Sequence, residues 1–239
     1  MQDIEINKLK NGMKHGIPIA LGYLSVSFTF GLMAVSSGMY WWQALLISMT
    51  NLTSAGQFAG LGIMLSGGAL VEMALSQFVI NLRYALMSLA LSQKVDKSIS
   101  GIYRWIVGFG ITDEIFALSM SQPKQVGKTY MFGLIAVPYA GWAAGTLAGA
   151  LVGGILPEII SESLGIAIYG MFIAIIVPKA KENINCLKVV ICSIVFSCCF
   201  KWLPVLNKLS SGFVIIICAV AASALGALLY PIKEEEACR

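Results

Sequence analysis

Apolar residues along this chain come in long runs rather than in amphipathic stripes. Eight runs can be drawn, near residues 17–38, 42–67, 69–92, 104–121, 130–153, 164–178, 187–206 and 210–230. Several exceed the roughly 18 residues that mark a membrane-crossing helix. The connections are short and leave no room for a soluble domain. The pattern predicts an all-α fold, a polytopic integral membrane helical bundle. It divides the chain into a polar N-terminal arm over 1–16, a single transmembrane domain over 17–230 and a polar tail over 231–239.

Two of the runs have polar centres. The run 42–67 contains Thr50-Asn51-Leu52-Thr53-Ser54-Ala55-Gly56-Gln57, and the run 104–121 contains Gly110-Ile111-Thr112-Asp113-Glu114. Non-helical backbone at membrane depth is tolerated only where protein or a water-filled cavity satisfies it, and discontinuous helices build many transporter sites. Charge leads to the same two runs. Lys8, Lys10 and Lys14 place the N-terminus in the cytoplasm. The loops carrying Lys94, Lys97 and Arg104, then Lys124 and Lys128, then Lys179, Lys181 and Lys188, read as cytoplasmic too, and Glu158–Glu162 as external. Helix counting puts the C-terminus inside. Eight plain crossings cannot satisfy this order, whereas six crossings plus two broken or re-entrant elements at 42–67 and 104–121 do. Eight crossings with a weak charge bias is the alternative.

Composition agrees with the hydropathy pattern: 58% of residues are hydrophobic and 12% charged, against about 25% charged in soluble domains. The polar first 15 residues lack the apolar core and cleavage site of a removable signal peptide. The net charge of +4 is scattered over loops, without a basic block interleaved with aromatics, so nucleic-acid binding is not expected. Six cysteines form no C-x-x-C pair and lie mostly in apolar runs, where reduced Cys acts as a small apolar residue. No metal site or cofactor is expected. The lone His15 rules out a Ser–His dyad within the membrane, and no Walker motif is present.

Charged and polar positions inside the runs carry the candidate chemistry, since each charge at mid-depth costs about 2.5–3.5 kcal/mol by the milder estimates. Asp113 and Glu114 are candidates for proton coupling, because a carboxyl in low dielectric can load and release a proton. The other reading is a structural pair with an arginine. Arg83, beside Asn81, can hold a substrate carboxylate in its bidentate fork, neutralise Asp113, or snorkel to the interface. Asn51, Thr53, Ser54 and Gln57 can bind the head of a zwitterion or serve as helix–helix glue. Glu72 reads as interfacial and Lys201 as snorkelling. Trp41, Trp42, Trp105 and Trp202 read as interfacial anchors. Gly145, Gly149, Gly153 and Gly154 mark tight helix packing.

The order SAGQFAG (from Ser54), NLRYALMSLALS (from Asn81), TDEIFAL (from Thr112) and LGIAIYGMFIAIIVP (from Leu164), after an opening GIPIALGYLSVSFTFG, resembles the AzlC family over roughly residues 12–180. The resemblance implies a branched-chain amino acid transporter, generally an exporter, in the cytoplasmic membrane, working with a small AzlD-like membrane protein of about four helices. The expected function is a secondary transporter of hydrophobic amino acids, driven by protons or exchange. In that reading Asn51, Thr53, Ser54, Gln57, Asn81 and Arg83 bind substrate and Asp113 and Glu114 couple protons. A passive channel for small polar or zwitterionic solutes is the alternative; an enzyme is not expected.

Overall fold

The computed structural model describes residues 8–152, 180–203 and 211–230, together with 173, 176, 177 and 209. Among them the regular elements are helices: α1 Leu9–Ser36, α2 Trp41–Thr50, α3 Ser54–Leu65, α4 Leu70–Ser92, α5 Ile102–Phe109, α6 Asp113–Met120, α7 Lys128–Val152, α8 Ile184–Trp202 and α9 Ser211–Leu229. Within the described residues α1, α4, α7, α8 and α9 are long and apolar enough to cross a membrane. The sixth expected crossing, 164–178, lies outside the described residues except for 173, 176 and 177, and Gly153, Gly154, Lys179 and the Glu158–Glu162 loop lie outside them altogether. The chain forms two compact units, Met1–Phe58 with Asn81–Ile168 and Ala59–Ile80 with Tyr169–Arg239.

In the first unit α1 and α7 lie side by side at backbone contact. Gly133 sits on the Leu9 carbonyl, Gly145 on Leu24 and Ser27, and Gly149 on the Phe28 carbonyl, so a Cβ at any of the three would collide. Small residues drive membrane helices together in this way, by letting the backbones approach. The contacts advance in the same direction along both helices, so α1 and α7 run parallel. α1 starts at Leu9, inside the stretch expected to be a polar arm, because its first turn is held here: Gly12 packs on the Tyr130 backbone and His15 Nδ1 lies 3.0 Å from the Tyr130 hydroxyl.

Both interrupted runs are broken, and both double back. α5 and α6 have eight residues each, about 12 Å against a hydrocarbon core of about 30 Å. Their flanks meet. The Asp96 amide donates to the Val126 carbonyl at 3.0 Å, the Val126 amide to the Lys94 carbonyl at 3.1 Å, and the Lys128 amide to Ser98 Oγ at 3.0 Å. α5 rises along α7, with Tyr103 edge-on to Phe132 and Phe109 edge-on to Tyr139. α6 then returns, so that the Ser119 hydroxyl reaches Met131 Sδ at 3.3 Å.

α2 and α3 enter from the opposite end, after the C-terminus of α1. Ser48 Oγ lies 2.7 Å from Thr146 Oγ1, and deeper in, the Tyr139 hydroxyl donates to the Met49 carbonyl at 2.9 Å. α3 turns back at once, and Phe58 packs edge-on against Phe30. The tips of the two re-entrant elements therefore meet at Tyr139, midway along α7.

This geometry gathers Lys10, Lys14, Lys94, Lys97, Lys124 and Lys128 at one end of the first unit. In a chain without its native cysteines, Lys10→Cys, Lys97→Cys and Lys124→Cys are expected to react with an impermeant maleimide from one and the same face of the membrane. Labelling of position 97 from the face opposite position 10 would rule out the doubling back of α5–α6.

In the second unit α8 and α9 are antiparallel neighbours: Gly226 lies on Val189 and Lys188 Nζ stands over the Tyr230 ring. Glu72, in the first turn of α4, is buried in the protein and accepts a hydrogen bond from the Gly212 amide at 2.8 Å. An orphan N–H in the first turn of α9 is thereby satisfied, and the carboxylate complements the helix dipole.

Candidate functional site

The site is built by two breaks that use the same local device. In each, a threonine precedes the first residue of the restarted helix. Thr112 Oγ1 accepts from the Ile115 amide at 3.4 Å, and Thr53 Oγ1 accepts from the Gly56 amide at 3.3 Å. Threonine is a favoured N-cap because its hydroxyl satisfies a first-turn N–H. The chain N-terminal to each restart ends at Asn51 and at Gly110. Gln57, buried, pins the first break by donating through Nε2 to the Asn51 carbonyl while Ser48 donates to its Oε1 at 3.4 Å.

Four helix ends thus converge midway along α7: the C-termini of α2 and α5, the negative ends of their dipoles, and the N-termini of α3 and α6, the positive ends. Between them lies a cavity of about 150 Å³, lined by Asn51, Thr53, Asn81, Tyr84, Phe109 and Ile111, among others. Its volume is below the ≈ 300–1,000 Å³ of drug-sized ligand pockets, so it suits a compact polar head.

Arg83 lies on α4 between the two lining residues Asn81 and Tyr84. Its guanidinium is 3.0 Å from Asp113 Oδ2, donates to the Tyr84 hydroxyl at 3.3 Å and stacks over the Tyr84 ring at 5.0 Å from the centroid. The ion pair is one of the alternatives the sequence leaves open for these residues. Asp113 and Glu114 occupy the first turn of α6, where negative charge is favourable.

Glu114 points to a different partner. The Tyr23 hydroxyl, on α1, donates to Glu114 Oε2 at 2.5 Å and lies 2.6 Å from Thr112 Oγ1. Tyr23 is buried and stacks edge-on with Trp142 of α7. Glu114 also borders a second, larger cavity of about 640 Å³, between α1 and α6 on the lysine-rich side.

Of the residues singled out in the sequence, Asn51, Thr53 and Asn81 line the central cavity. Gln57 braces its wall, Ser54 opens α3, and Arg83 and Asp113 pair beside it. Sequence reading missed Tyr23, Tyr84 and Tyr139. A tyrosine hydroxyl inside an apolar run needs a hydrogen-bond partner, which was the available signal for Tyr23 and Tyr139.

Comparison with known proteins follows the same stretch of chain. The family model described as AzlC protein matches residues 18–156. An uncharacterized membrane protein of Archaeoglobus fulgidus is 30% identical over 174 residues, covering 72% of this chain and 76% of the relative. The inner membrane protein YgaZ of Escherichia coli is 25% identical over 140 residues, and the match spans 57% of each chain. An uncharacterized membrane protein of Helicobacter pylori is 25% identical over 186 residues, 75% of this chain and 79% of the relative. No solved structure matches. With its all-helical, membrane-spanning fold and a family match that covers both re-entrant elements and the crossings around them, this chain belongs to the AzlC family of membrane proteins.

Proposed function

We propose that the protein is a secondary transporter that exports branched-chain or other hydrophobic amino acids across the cytoplasmic membrane, coupled to protons, together with a small AzlD-like subunit. The observation that carries this reading is the meeting of four helix ends around one small cavity midway along α7, with Asn51, Thr53 and Asn81 in its wall. Half-helix N-termini favour a substrate carboxylate, and helix C-terminal carbonyls favour an ammonium group or coupling cation. A zwitterionic head needs both. Asn51, Thr53 and Asn81 supply donors and acceptors at the wall, and Ser54 and Gln57 hold the first break in shape. Arg83 and Asp113 together form a neutral pair that can open to receive charged substrate. Family membership and the inner-membrane name of the Escherichia coli relative support a membrane transporter. The lysine-rich end of the first unit is the cytoplasmic end by the excess of positive charge there.

The test is labelled leucine and valine flux in proteoliposomes, with and without the small subunit. Trans-stimulation by unlabelled leucine is expected, because alternating access returns a loaded site faster than an empty one; an open channel gives none. Asn81→Ala and Asn51→Ala are each expected to reduce apparent leucine affinity by roughly tenfold, one hydrogen bond to a charged group being worth about 1.5–3 kcal/mol. Wild-type vesicles that move neither amino acid would end this reading.

A further inference from the structure

The wall of the central cavity is chemically divided. From the first break and α4 come amides and hydroxyls, on Asn51, Thr53, Asn81 and Tyr84, with Leu52 among them. Asn81 and Tyr84 are three residues apart on α4 and so share one face of that helix. From the second break come Gly108, Phe109 and Ile111, none of which carries a polar side-chain atom. Gly108 lies in the last turn of α5. A Cβ built on it would meet nothing within 4 Å. Gly110, two residues on, is different, because a Cβ there would strike the Ile135 side chain. Packing therefore explains glycine at 110 and does not explain it at 108. Glycine inside a helix is also less favourable than alanine. Other glycines with open surroundings, such as Gly22 and Gly62, do not line this cavity.

We infer that Gly108 is a specificity-determining position, which sets the size of the amino acid side chain the central cavity accepts. The ammonium and carboxylate groups are held at the polar side, and the aliphatic side chain runs out over Gly108, beside Phe109 and Ile111. The inference rests on the transport reading above and adds the orientation of the substrate. The division of the wall decides that orientation. An aliphatic chain laid against Phe109 and Ile111 leaves water for an apolar surface. The same chain turned toward Asn51 or Asn81 would cover amides without giving them a partner. Glycine then serves in two ways. It lets the substrate approach the backbone of α5 closely, and it leaves a space that a side chain of its own would fill. Carbon atoms in contact lie about 3.5–4.0 Å apart, so the clear space at Gly108 holds a methyl group of the substrate. A larger residue at 108 would exclude a long or branched side chain first and a short one last.

The experiment is proteoliposome counterflow of labelled L-leucine and L-alanine by the full-length chain with its small subunit, read as the ratio of the two apparent affinities. Gly108→Val is expected to weaken leucine relative to alanine by tenfold or more, since a change of one methylene in an apolar pocket shifts preference by about 10–200-fold. Gly108→Ala is expected to move the ratio less, in the same direction. Its added methyl has nothing to strike and raises helix propensity, so this variant keeps the test open if the valine variant folds poorly. Thermal stability of the detergent-solubilised proteins checks folding. Gly62→Val places the same side chain on another helix, at a glycine with open surroundings outside the cavity, and is expected to leave the ratio unchanged. A ratio unmoved by both Gly108 variants, in protein whose counterflow responds to Asn51→Ala and Asn81→Ala, overturns this inference and leaves the transport reading standing. An equal shift in Gly62→Val overturns it as well, because the effect would then not belong to the cavity. Counterflow of neither amino acid in the wild type removes both readings.

Discussion

Arg83→Gln alone is expected to reduce the yield of folded, membrane-inserted protein sharply, and adding Asp113→Asn in the same chain to restore it. The two side chains meet at 3.0 Å, each about half exposed in the isolated chain (45% and 47%). In water such a pair would contribute little. At membrane depth the comparison changes, because the alternative to pairing is a lone charge at about 2.5–3.5 kcal/mol. Removing one partner of a buried pair costs about 3–5 kcal/mol, while replacing both by neutral groups is often close to neutral. Partial hydration beside the cavity favours the lower end, about 2.5 kcal/mol, or a shift of more than tenfold in the folded-to-unfolded ratio. Asp113→Asn alone leaves the guanidinium unpaired but still stacked on Tyr84, so its loss is expected to be the smaller of the two. Thermal stability of the detergent-solubilised protein, measured for both single variants and the double, gives the coupling energy. A double variant no more stable than Arg83→Gln would show that the pair does not hold α4 to α6. The double variant also separates folding from function: stable protein that no longer moves leucine assigns the charges to transport.

The fold was legible in the sequence wherever a local rule decides structure. Long apolar runs specify spans because the bilayer demands length and satisfied backbone. The breaks were visible because Asn51 to Gln57 and Thr112 to Glu114 put caps and charges where a continuous helix would carry apolar residues. That the second break doubles back was implied by the positions of Lys97 and Lys124, which leave no net crossing for α5–α6. What stayed hidden depends on partners far away in the chain. The partner of Glu72 could not be read locally, because Gly212 is 140 residues on. Tyr23 looked like one aromatic among many until its hydroxyl was found on Glu114, 91 residues away. The early start of α1 at Leu9 likewise depends on Tyr130. The site was half legible for the same reason: Asn51, Thr53 and Asn81 announced themselves as polar groups in apolar surroundings. The volumes of the two cavities arise only from packing.

Glu114→Gln is expected to abolish the acceleration of leucine export by an inward proton gradient, leaving slower exchange that needs more leucine. Glutamine keeps the size and the hydrogen-bond capacity of a protonated carboxyl, so it fixes the site in its neutral form. Tyr23 shows how that form is communicated. With Glu114 ionised, the carboxylate can only accept, so the Tyr23 hydroxyl donates to it and its oxygen is left to accept from Thr112. When Glu114 gains a proton it becomes a donor, the Tyr23 hydroxyl can turn to donate to Thr112, and the hydrogen bonds along this chain reverse direction. Thr112 caps α6 at the break and follows Ile111 of the central cavity wall by one residue, so a reversal of this hydrogen-bond chain would reach that wall. Tyr23→Phe cuts the chain without changing any charge. Losing a hydrogen bond to a charged group costs about 1.5–3 kcal/mol, so gradient-driven export is expected to fall by at least tenfold, with leucine exchange at equal pH affected less. The measurement is initial export rate from proteoliposomes at matched internal pH, with and without external acidification. Full acceleration by external acid in Glu114→Gln would move the coupling proton to another group, and Asp113, relieved of its pair with Arg83, is then the nearest carboxyl on the same turn of α6.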